Sequence, residues 1–67
     1  MKIKNPIRVK ELMSGYKWFT AESMASAVSL HPNTIRKALR GGTIEGETAQ
    51  AIADALQVKL LDIAEFV

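Results

Sequence analysis

Apolar side chains recur along this chain at the three- and four-residue spacing of helices buried on one face. Val9, Leu12 and Met13 form one such stripe, Met24, Ala25 and Val28 a second, and Ile35, Ala38 and Leu39 a third. Ala49, Ile52, Ala53 and Leu56 make a fourth, and Leu60 opens a short fifth that runs to about Phe66. No alternating strand pattern competes with these helical ones, so the chain predicts five helices and an all-α fold. It carries no internal repeat, low-complexity stretch or linker.

Starts and stops sit between the stripes. Asn5-Pro6 pairs a capping side chain with proline at the first helical position, where a missing N–H costs nothing, and Gly15 closes the helix that follows. Thr20 is a good cap for a second helix over about Ala21 to Val28, with Glu22 in the first turn where the helix dipole favours an acid. Ser29, Leu30 and His31 interrupt, and Pro32 restarts a third helix that reaches about Arg40. Gly41 follows at the position where helices turn left-handed. After Gly42 the alanine-rich segment Glu47 to Leu56 predicts the fourth helix, and Gln57-Val58-Lys59 the last turn.

The third helix has a second stripe. Asn33, Arg36, Lys37 and Arg40 fall on the side away from Ile35, Ala38 and Leu39. A helix built this way can lie on its own domain and still reach into a DNA groove.

Charge agrees with that reading. Residues 1–40 hold eight basic side chains against two acids, a net of +6, whereas residues 41–67 hold one against five, a net of −4. Such asymmetry points to one end that meets a polyanion and one that does not. At 67 residues the chain is expected to be a single domain with a thin core, burying only about 60% of its unfolded surface. With no cysteine it has neither disulfides nor a thiolate metal site, and no cofactor is expected. No membrane span or apolar signal segment is present, so a cytoplasmic location is expected.

Taken together, the segments resemble the helix-turn-helix domain of the Cro/cI repressor family (the XRE family) of phages and bacteria. The likeness extends from about Ile7 to Phe66. It rests on Phe19-Thr20 opening helix 2, Met24-Ala25 within it, Thr34-Ile35 in helix 3, and Arg40-Gly41 at its end. The segment Ile52 to Val58, followed by Leu60 to Ile63, completes the pattern. The resemblance implies a compact five-helix fold of the lambda-repressor type, its helix-turn-helix at about residues 21–40. Four departures stand out. Ser29 replaces the usual turn glycine, which calls for a negative φ or a small strain. Ala21 stands where glutamine often contacts phosphate, Gly46 replaces an apolar residue and delays helix 4, and the first connection is about one residue longer.

The same resemblance implies roles on double-stranded DNA. Asn33 and Lys37 take base-facing positions: asparagine can pair with adenine, and lysine can donate to guanine. Arg36 beside them reaches a base or the groove wall, and Pro32, without a donor, can only touch a thymine methyl. Arg40 with Gly41, Gly42 and Thr43 suits phosphate, because glycine lets backbone amides approach closely. Thr20 caps helix 2 and turns its amides toward the backbone, and His31, the lone histidine, has a capping or phosphate-facing role rather than a metal or catalytic one. Trp18 and Phe19 could stack on bases, but in so thin a core they are expected to be buried, as is Met24.

The implied function is a sequence-specific transcriptional regulator, a phage or prophage Cro-like repressor on a palindromic operator, or the N-terminal piece of a longer one. Leu60 and Ile63 seal helix 5, which leaves Leu61, Phe66 and Val67 without a place inside and marks them as a homodimer surface, weak or completed on the operator. A protein-interaction module of antitoxin or regulatory-partner type is the alternative, but it has no need of the Asn33/Arg36/Lys37/Arg40 stripe. An enzyme fails on inventory, since His31 has no partner for catalysis.

Overall fold

The computed structural model describes every residue except Lys17, Phe19 and Val67. In chain order it contains strand β1 (Lys2–Ile3), helices α1 (Pro6–Gly15), α2 (Ala21–Val28), α3 (Pro32–Leu39), α4 (Gly46–Leu56) and α5 (Leu60–Ile63), and strand β2 (Ala64–Glu65). Three helices start where the capping chemistry places them. The Asn5 side chain accepts from the Arg8 amide at 3.2 Å, Thr20 Oγ1 from Ser23 at 3.1 Å, and His31 Nδ1 from Asn33 at 3.1 Å. Each bond satisfies an amide that the first helical turn would otherwise leave open. Helix α4 begins at Gly46, one residue before the expected Glu47, and has no side-chain cap.

The inward stripes meet in one core. Val9, Met24, Ile35, Ile52 and Leu56 are its fully buried larger side chains, and no buried side chain among the described residues is polar or charged. Burying each such aliphatic group stabilises the fold by about 1.5–3 kcal/mol. Leu12, Val28, Leu39 and Leu60 pack against this centre from its margin, half-buried. Trp18 does the same, its ring stacked on Tyr16 with centroids 5.6 Å apart. The expected burial of Phe19 lies outside the described residues.

Helix ends carry most of the differences from expectation. Gly15 is the last helical residue of α1, and Tyr16 caps it. Helix α3 ends at Leu39 with Arg40 as its cap; the Gly41 amide bonds to Ala38 O at 3.1 Å and Gly42 to Lys37 O at 2.9 Å. Gly41 sits at φ 82°, as its type allows. Ser29 adopts φ 59° and Gln57 φ 56°, both left-handed, so the turn between α2 and α3 takes the strained option. For a residue with a Cβ that conformation costs roughly 1–2 kcal/mol.

The fifth helix is shorter than the apolar run suggested. It stops at Ile63, and Ala64 and Glu65 pair antiparallel with β1, Ile3 against Ala64 and Lys2 against Glu65. The Ile63 carbonyl, which a longer helix would use internally, accepts from the Lys4 amide at 2.8 Å. On its other side the N-terminal segment is tied to the α3–α4 loop: the Ile44 amide donates to Met1 O at 2.7 Å, and Met1 N donates to Ile44 O at 2.9 Å. This short ribbon buries Ile3 and Ala64 beneath an otherwise helical fold.

Candidate nucleic-acid interface

Helices α2 and α3 pack on one another, and each turns its buried residues, Met24 and Ala25 on α2 and Ile35 and Ala38 on α3, into the common core. That packing fixes which way the rest of α3 looks. Asn33, Arg36, Lys37 and the capping residue Arg40 are all exposed, and Pro32 at the first turn is half-buried. The outward side of α3 therefore presents donors and cations, with no acid of its own.

These side chains are not independent. Arg36 forms an ion pair with Glu22 on α2, and its Nη1 donates to Asn33 Oδ1 at 2.8 Å. The pair with Glu22 joins residues on different helices, so it is invisible to the local sequence, where Glu22 reads only as an acid in the first turn of α2. His31 caps α3 through Nδ1, so it serves the helix start whatever else it meets. Thr20 likewise caps α2, and its hydroxyl lies 3.0 Å from that of Ser23.

Beyond α3 the loop folds back on the helix. A Cβ on Gly42 would lie 2.8 Å from Lys37 Cγ and 3.0 Å from Lys37 O, so only glycine allows this approach. Lys37 and the exposed Thr43 line one open groove of about 440 Å³ with Leu30, Thr34, Ile44, Glu45 and Thr48. The fold thus brings the Lys37 side chain together with the Gly41–Thr43 loop, although they belong to different predicted segments. Far from this surface in sequence, Leu61 is 55% and Phe66 77% exposed, as apolar residues without an internal place must be. Val67, expected beside them, lies outside the described residues.

Among the described residues no group of three or more His, Cys, Asp or Glu side chains is placed to hold a metal ion. No helix among them is long and apolar enough to cross a membrane. What the arrangement offers chemically is hydrogen-bond donation and positive charge along one helix and the loop after it. That matches the acceptors and phosphates of a nucleic-acid groove.

Comparison with protein families gives the same direction. The family model for the Cro/C1-type HTH DNA-binding domain matches residues 8–67, nearly the whole chain. No curated protein and no solved structure matches.

Proposed function

The chain belongs to the Cro/C1-type HTH DNA-binding domain family, and from that membership of DNA-binding regulators we propose that it is a sequence-specific repressor of the phage or prophage Cro type. One observation carries the reading: α3 buries Ile35 and Ala38 while Asn33, Arg36, Lys37 and Arg40 stand exposed along its outer side. Helix α2 spans the DNA backbone, and α3 enters the major groove. Asn33 and Lys37 meet base edges, Arg36 lies beside them, and Pro32 offers only apolar contact to a thymine methyl. Arg40 with the Gly41–Thr43 loop, together with the capped starts of α2 and α3 at Thr20 and His31, holds the phosphates.

The operator is a palindrome read by a two-fold homodimer. Leu61, Phe66 and Val67 form its contact at the acidic end, away from DNA; exposure of Leu61 and Phe66 supports this. Two recognition helices then face half-sites about 34 Å apart, one turn of the duplex. Selection of bound sequences from a random duplex library tests the whole reading. A short inverted repeat with its half-sites one turn apart is the expected result, and recovery of unenriched sequence would overturn it.

A further inference from the structure

Glu22 is an acid on the surface that the proposed reading turns toward a polyanion, and it does not stand alone. Its carboxylate pairs with Arg36, and Arg36 donates through Nη1 to Asn33 Oδ1 at 2.8 Å. Each of the three side chains is solvent-exposed, so the chain of contacts lies on the face, not beneath it. A guanidinium carries donors only. The atom of Asn33 that meets it is therefore the carbonyl oxygen, and the Asn33 amide is held in one of its two orientations.

That orientation has a consequence for base recognition. Asn33 Oδ1 has two lone pairs, of which Arg36 uses one. The second lone pair and the Nδ2 protons form an adjacent acceptor and donor. Adenine presents the complementary pair in the major groove, its N6 amino group and N7. A freely rotating asparagine would spend part of its time with the two atoms exchanged and would lose rotamer freedom on binding. Glu22 limits both by holding the guanidinium that holds the amide.

We infer that Glu22 is a specificity-determining positioning residue: through Arg36 it sets Asn33 to read adenine, without touching DNA itself. The inference rests on the proposed reading of α3 as the base-reading helix. It also gives Arg36 a definite place, since an arginine engaged by Glu22 and Asn33 supports its neighbour instead of reaching for a phosphate.

The test uses the site selected by the parent protein, and duplexes in which each adenine of that site is replaced in turn. Binding is measured for the parent, Glu22→Ala, Arg36→Ala, Asn33→Ala and the Glu22→Ala/Asn33→Ala double variant, each first shown to melt cooperatively. Glu22→Ala is expected to reduce preference for one adenine position roughly tenfold, as loss of a coupled contact does, and Arg36→Ala to reduce preference at the same position. In the Asn33→Ala background, removing Glu22 should leave base preference unchanged. Glu22→Ala should also steepen the salt dependence by about one counterion, because Arg36 becomes free for phosphate.

If Glu22→Ala tightens binding to every duplex alike with preference intact, Glu22 acts only as a repelling charge and the inference is overturned. Preference lost equally with and without Asn33 overturns it too. A parent protein that shows no sequence preference at all defeats the underlying reading of α3, a result distinct from either.

Discussion

Helices α3 and α4 use the same means to join the core and opposite means to face solvent. Helix α3 buries Ile35 and Ala38, and α4 buries Ala49, Ile52, Ala53 and Leu56, each at helical spacing. On the outside α3 carries Asn33, Arg36 and Lys37 with no acid, whereas α4 carries Glu47, Gln50 and Asp54 with no base. Exposed polar groups bond locally on both: Arg36 to Asn33 on α3, and Gln50 Nε2 to Asp54 Oδ1 at 2.8 Å on α4. Burial is therefore common to both helices and serves the fold. What separates them is the sign of the exposed face, and the proposed function assigns DNA to the basic one.

The comparison predicts that equivalent cuts inside should weigh alike. Ile35→Ala and Ile52→Ala should each cost about 2–5 kcal/mol, read from urea or thermal unfolding. In a domain this small either loss removes most of the stability. A variant that melts like the parent would show that its helix does not depend on that stripe.

Helix ends should differ by residue type. At the end of α3, Gly41→Ala would force a Cβ into φ 82° and is expected to destabilise by roughly 1–2 kcal/mol. At the end of α4 the strain is already present at Gln57, so Gln57→Gly should stabilise by about 0.5–1 kcal/mol once the added chain entropy is deducted. Ser29→Gly, in the turn leading into α3, should behave like Gln57→Gly. Unfolding midpoints that fall for these two replacements would mean their side chains make contacts worth more than the strain.

The smallest effects on stability belong to the outward faces. Lys37→Ala and Asp54→Ala should each change unfolding free energy by no more than about 0.5 kcal/mol, the usual range for exposed positions. Any large change in either would mean that the exposed face helps to hold the fold, and the division between the two sides would fail.

Most of this organisation is legible in the sequence, because burial imposes a period and caps use few residue types. Asn5, Thr20 and Gly41 announced their ends for that reason. The ribbon of Lys2–Ile3 and Ala64–Glu65 was not, since two residues cannot display an alternation and their pairing joins opposite ends of the chain. The apolar run after Leu60 looked helical to Phe66 for the same cause: nothing local says that the Ile63 carbonyl will serve Lys4 instead of a next helical turn. Among the candidate site residues, the outward placement of Asn33, Arg36, Lys37 and Arg40 followed from helix geometry alone. The ion pair of Arg36 with Glu22 did not, because it crosses from one helix to another and depends on how they pack.

In the proposed reading Lys37 on α3 meets a base, and Arg40, the residue that caps the helix, holds phosphate. Binding of Lys37→Ala and Arg40→Ala to one panel of duplexes, the selected site and its single-base variants, distinguishes the two roles. Arg40→Ala should weaken every duplex by a similar factor, while Lys37→Ala should cost about 1–3 kcal/mol at the selected site and flatten preference at one base pair. Two variants with the same profile across the panel would mean that Lys37 and Arg40 do not divide base reading from phosphate contact.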